Sequence, residues 1–203
     1  MDNVLDVLEE YDAVTEGEKV TISRGILEGT TLPWYRNYGT SPRYLSYTHV
    51  LYGRNSKGEE QDVSPWALFF RTIMDRTIEK YNLAPRGYKV LRAALNEGLN
   101  YSDPHGDIHL DYPTNNYLLI LYLTSSSGGT NVYNYTREDP IKADNGVLLN
   151  SDIERGVWDL PLKKHIKCEE NKIGAFNGKY YHAACPRKVE ERRTICVFAI
   201  EPL

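Results

Sequence analysis

Apolar positions in this chain follow two rhythms, and the change falls near Pro85. Before it the spacing is mostly helical. Val4, Leu5, Val7, Leu8 and Tyr11 recur at three- and four-residue intervals, which predicts a short amphipathic helix at the start of the chain. Residues 29–63 are rich in Gly, Tyr, Thr, Ser and Asn and read as loops over one strand at 45–52. Ser64 and Pro65 then supply helix-start chemistry, and Phe70, Ile73, Met74, Ile78 and Tyr81 line one face of a helix that runs toward Pro85. Beyond Pro85 apolar runs of strand length follow one another at 88–95, 108–111, 117–123, 131–135, 146–150, 166–169, 172–176, 180–183 and 194–200. The links between them are too short for crossover helices, so the sheet is predicted to be mainly antiparallel, a sandwich or barrel.

The length of 203 residues predicts one domain, with 1–85 as helices and loops packed on a β core at 86–203. A formal charge of -4 excludes the global basic field that non-specific nucleic-acid binding needs and disfavours nucleic acid as a partner. No stretch approaches the apolar length of a membrane span, and the acidic amino-terminal segment lacks signal-peptide character. Three cysteines, Cys168, Cys185 and Cys196, read as free thiols in a reducing compartment, so the expected location is cytoplasmic.

Chemistry concentrates in His105-Gly-Asp107-Ile-His109-Leu-Asp111, where four ligand-type side chains recur every second residue and would share one face of a strand. One His-x-Asp pair with a distant histidine makes a two-His, one-carboxylate set, which leaves open positions on iron(II). His109 and Asp111 are the preferred pair because a turn follows Asp111 at once. His105 and Asp107 then become supporting groups, and His182 is the distant partner. By itself a His-x-Asp pair also fits a polar strand edge.

Near the carboxyl end Arg192, Thr194, Cys196 and Phe198 alternate onto one strand face, where a guanidinium and a hydroxyl suit a carboxylate ligand, and Tyr122 could add a second hydroxyl. Two rival readings stand beside this one. His165-x-x-Cys168 and His182-x-x-Cys185 have the look of a structural zinc site. The tyrosine-rich loops, with sixteen Tyr against four Phe, would also suit a non-catalytic jelly-roll binding module.

The ordered pieces His109-Leu-Asp111, Leu121-Tyr122-Leu123, Gly128-Gly129-Thr130, Asn171 to Gly178, Tyr181-His182 and Arg192-Arg-Thr194 resemble the iron(II)- and 2-oxoglutarate-dependent oxygenases, in particular the prolyl-4-hydroxylase-like branch of phage and bacterial type. The resemblance implies a mainly β double-stranded β-helix, a jelly-roll or cupin-like barrel with flanking helices. It implies iron(II) held by His109, Asp111 and His182, and 2-oxoglutarate gripped by Arg192, Tyr122 and Thr194. Oxygen is the co-reactant, ascorbate could serve as accessory reductant, and the substrate is a peptidyl side chain such as proline or a small molecule. Two departures from the family pattern are Gly-Gly-Thr in place of Gly-Gly-Glu-Thr and an apparent insertion at 151–165 containing Trp158.

Overall fold

The computed structural model describes residues 6–30, 32–36, 45–54, 59–99, 108–136, 138–139, 142–143, 146–147, 160–185, 188 and 191–203. The chain opens with a strand, β1 (Val7–Glu10), then α1 (Glu16–Ile22), a π-helical turn (Ser23–Leu27), β2 (Tyr35–Arg36), β3 (Leu45–Arg54), β4 (Glu60–Asp62) and α2 (Trp66–Lys80). The β-rich part comprises β5 (Tyr88–Leu99), β6 (Tyr117–Tyr122), β7 (Gly129–Thr136), β8 (Lys142–Ala143), β9 (Gly146–Val147), β10 (Leu162–Lys167), β11 (Lys172–Asn177), β12 (Tyr180–Cys185) and β13 (Arg193–Pro202).

All described pairings are antiparallel. The major sheet has eight strands in the order β1-β11-β6-β13-β5-β3-β2, with β4 added on β3, and a minor sheet of order β10-β7-β12 faces it. This is the jelly-roll arrangement expected from the sequence, left open at its sides because eight strands face three.

The major sheet is covered on both sides, which is why β6 reads as an unbroken apolar run, YLLILY, buried at every position. One face carries Leu119, Leu121, Cys196, Phe198 and Ile200 against α2, whose Phe70, Ile73 and Met74 are fully buried. The other face carries Leu118, Ile120, Phe176 and Ile195 against Val132 and Ile166 of the minor sheet. Gly174 on β11 allows this approach, since a Cβ there would lie 2.8 Å from the Ile166 side chain.

Several expectations change: Tyr35–Arg36 and Glu60–Asp62 add short strands β2 and β4 on β3 where the sequence reads as loops, and of 108–111 only His109 pairs, as an isolated bridge. Residues 7–10 form a strand where the spacing predicted a helix, because the long-range register of Val7 with Phe176 and Glu10 with Ile173 outweighs a weak local preference. Charge pairs reinforce the edge: Glu9 meets Lys172 at 3.0 Å and Lys164 at 2.9 Å, and Glu10 meets Lys80 at 2.8 Å. The helix of this region lies later, in α1, where Thr15 and Glu18 close a capping box. The apparent insertion at 151–165 ends inside a core strand, since Leu162 to His165 belong to β10 and pair with β7. Its first part, with Trp158, lies outside the described residues.

Candidate active site

The two sheets enclose a cavity of about 210 Å³, and the site is best built from the backbone upward. His109 and His182 exchange both main-chain hydrogen bonds, at 3.0 and 3.1 Å, as an isolated antiparallel bridge. Directly opposed residues of such a pair project to the same face, so their rings meet at a centroid distance of 4.4 Å. Asp111, two residues beyond His109, returns to that face and brings its carboxylate 3.7 Å from His109 Nε2 and 3.5 Å from His182 Nε2.

Ligand atoms of all three residues lie within 4.8 Å of one another, and this is the only such group of potential metal ligands among the described residues. Both separations lie at or beyond the long end of the hydrogen-bond range, so the Asp111 carboxylate is held between the two rings without closing tightly on either. His182 rests edge-on against Phe176 at 5.1 Å, and its Nδ1 faces the Tyr180 carbonyl at 3.4 Å, leaving Nε2 toward Asp111. Burial alone would raise the Asp111 carboxyl, but the hydrogen bond and charge of His182, with His109 and Arg92, hold it well below the usual carboxylate range. Two imidazoles and an ionised carboxylate, with space in front of them, form a donor set suited to iron(II) with open coordination positions. His105 and Asp107, the overlapping pair of the motif, lie outside the described residues.

The arginine inside the cavity is Arg193, and Arg192 is not. β13 pairs Ile195 with Tyr122 and Val197 with Ile120, which sends the odd-numbered residues Arg193, Ile195, Val197 and Ala199 to the cavity. Arg192 points the other way, donating to Glu97 Oε2 at 2.6 Å and to the Leu27 carbonyl at 2.7 Å. Thr194 shares the helix-side face, fully buried. The Arg-x-Thr spacing therefore identified a pair on the wrong side of the strand.

Arg193 is 7% exposed, donates to Thr130 Oγ1 at 3.2 Å, and has a buried Nε with no hydrogen-bond partner. Tyr122 completes this end: its hydroxyl donates to the same Thr130 Oγ1 at 2.8 Å, and the guanidinium lies 5.8 Å from its ring centroid. Burial pushes the Tyr122 phenol up to about 12, so it remains a neutral donor. The sequence marks Thr130 only as the end of the Gly128-Gly129-Thr130 piece and gives it no role; its place on β7 of the minor sheet, facing Tyr122 and Arg193, is what brings it into the site.

The zinc reading fails on strand alternation, because residues three apart on a strand face opposite ways. His182 turns inward to Asp111, whereas Cys185 lies on the opposite face with its Sγ 3.5 Å from His165 Nδ1. Cys168 turns inward beside Ile166 and donates to the Thr124 carbonyl at 3.1 Å, away from His165, whose Nδ1 lies 2.8 Å from Asn131 Oδ1. Burial also pushes the Cys185 thiol up to about 11, which disfavours a thiolate ligand.

No family model and no curated protein matches this chain in sequence. Solved structures do match in fold. An oxidoreductase of the 2OG-Fe(II) oxygenase family from Burkholderia pseudomallei is similar with a TM-score of 0.67 and 14% identity, over 96% of this chain and 85% of that one. HygX from Streptomyces hygroscopicus, solved with nickel and 2-oxoglutarate, is similar with a TM-score of 0.62 and 14% identity, over 98% of this chain and 84% of its own. A viral collagen prolyl hydroxylase from Paramecium Bursaria Chlorella virus-1, in complex with 2OG, has a TM-score of 0.54 and 11% identity, over 97% and 96%. At such identities the likeness is one of fold. Among the described residues no helix is long and apolar enough to cross a membrane.

Proposed function

We propose that this protein is an iron(II)- and 2-oxoglutarate-dependent dioxygenase that hydroxylates a peptidyl side chain, such as proline, or a small molecule. One observation carries the reading: a single cavity has the His109, Asp111 and His182 donor set in its wall and, farther in, a buried arginine with an unused donor. A binding module has no need of that combination, and the fold shared with 2-oxoglutarate oxygenases supports it. Peptidyl proline is the first substrate to test, on the strength of the prolyl-4-hydroxylase-like motifs. The three free, buried cysteines suit a reducing, cytoplasmic setting.

His109, Asp111 and His182 would hold the metal, and Arg193 with Thr130 and Tyr122 would hold the far carboxylate of 2-oxoglutarate. Bound iron(II) with 2-oxoglutarate and oxygen supplies the oxidising chemistry, one oxygen atom entering the substrate and the other entering succinate as CO2 leaves. The protein's own work is placement and exclusion. Arg193 offers a two-pronged charged donor at a fixed depth, the neutral Tyr122 hydroxyl fixes Thr130 beside it, and Leu118, Ile120, Ile195 and Val197 keep the intervening wall apolar.

Succinate formation from 2-oxoglutarate is the test. Protein loaded with iron(II) in air should produce succinate slowly even without substrate, and Asp111→Ala should not. Succinate no faster than in a protein-free control would overturn the reading.

A further inference from the structure

The cavity contains a second arginine, Arg92, that is neither one of the three candidate metal ligands nor part of the cosubstrate end. Arg92 on β5 lies opposite Ala199 of β13, whereas Arg193 lies opposite Gly98. Six residues of β13 separate the two levels, about 20 Å of strand, so the arginines belong to opposite ends of the cavity. Arg92 lines the cavity close to Asp111 and Tyr112, both of which feel its charge.

Its surroundings are unlike those of the other arginines described above. Arg192 is paired with Glu97 and Arg193 is bonded to Thr130. Among the described residues no hydrogen bond or ion pair engages the Arg92 guanidinium, which is only partly buried. One carboxylate is near enough to feel its charge, Asp111, and that group is turned to the two histidines. The wall beside Arg92 is apolar, formed by Leu118, Val197 and Ala199. A planar, permanently charged fork over an apolar wall, next to the reacting centre, is recognition chemistry for an oxyanion attached to a hydrocarbon body.

We infer that Arg92 is a specificity residue that binds an anionic group of the substrate, a carboxylate or a phosphate, and so directs the carbon next to it toward the metal set. This rests on the oxygenase reading, in which 2-oxoglutarate already occupies Arg193.

The test uses full-length protein loaded with zinc(II), a diamagnetic stand-in for iron, and saturated with 2-oxoglutarate. Acetate and inorganic phosphate are titrated separately while the Arg92 Nε–H resonance is followed by NMR. The inference predicts a saturable shift with one or both anions. A response to acetate alone assigns a carboxylate substrate, and a response to phosphate assigns a phosphorylated one. Arg92→Lys, which keeps the charge but loses the fork, should bind the responding anion about tenfold more weakly as read by calorimetry, and Arg92→Gln should not bind it measurably. No saturable shift with either anion, or calorimetric affinity unchanged in Arg92→Gln, overturns the inference. Calorimetry of 2-oxoglutarate binding to the same zinc-loaded wild-type protein keeps the two readings apart: failure there overturns the oxygenase reading itself, whereas normal binding with no anion response removes only the role of Arg92.

Discussion

The two faces of β13 are alike in composition and opposite in work. Toward the helices the strand presents Cys196, Phe198 and Ile200, buried against α2 and its neighbours. Toward the minor sheet it presents Ile195, Val197 and Ala199, equally apolar, but here the row begins with Arg193 and forms one wall of a cavity. Adjacent arginines thus part company. Arg192 ties β5 to the π-helical turn through Glu97 and the Leu27 carbonyl, while Arg193 lines the cavity and has the Thr130 hydroxyl as its hydrogen-bond partner among the described residues. An arginine committed to a carboxylate and a carbonyl ties elements of the fold together, and one that faces a cavity with no carboxylate partner among the described residues is placed to meet an anionic ligand.

This contrast can be broken in several ways. The largest effect concerns the cavity side: Asp111→Ala should abolish stoichiometric iron(II) binding by removing the only anionic ligand. His165→Ala and Cys185→Ala, on the opposite face of the minor sheet, should each retain one metal equivalent, and elemental analysis after desalting would show the difference. On the helix side, Phe198→Ala should cost about 3–5 kcal/mol of stability in denaturant unfolding and leave the 2-oxoglutarate affinity of the folded protein unchanged. Arg193→Ala should reverse that profile. Loss of a charge-assisted carboxylate contact is worth on the order of 2–4 kcal/mol, roughly 30- to 1000-fold in cosubstrate affinity by calorimetry. Arg192→Ala should leave that affinity unaltered, and its half-exposed ion pair should contribute only about 0–1 kcal/mol to stability. The smallest effect belongs to Tyr122→Phe, which removes one neutral hydrogen bond to Thr130 and should weaken 2-oxoglutarate by about 0.5–1.5 kcal/mol.

Residue patterns in the sequence revealed the antiparallel architecture, α2 and the ingredients of the metal set, because each depends on a short-range rule. His-x-Asp fixes a shared face, and 66–80 has helical spacing behind a Ser-Pro start, with Ser64 Oγ accepting from the Trp66 amide at 3.2 Å. The face of β13 was not legible for a physical reason. Alternation reveals orientation only when one side of a strand is polar, and this strand is buried on both, so only its register against β6 separates Arg192 from Arg193. The amino-terminal strand was hidden likewise, since Val7, Leu8, Glu9 and Glu10 become a strand only through pairing with β11, more than 160 residues away. The pairing of His109 with His182 is a single backbone bridge, which no periodicity announces.

The central claim is that one cavity chelates metal and 2-oxoglutarate together. Anaerobic addition of iron(II) and 2-oxoglutarate to the purified protein, followed by visible absorption, tests it most directly. The account predicts a weak charge-transfer band that requires both components, persists in Arg192→Ala and needs far more 2-oxoglutarate to appear in Arg193→Ala. No band at saturating iron(II) and 2-oxoglutarate, or a band lost with Arg192 and kept without Arg193, would contradict it.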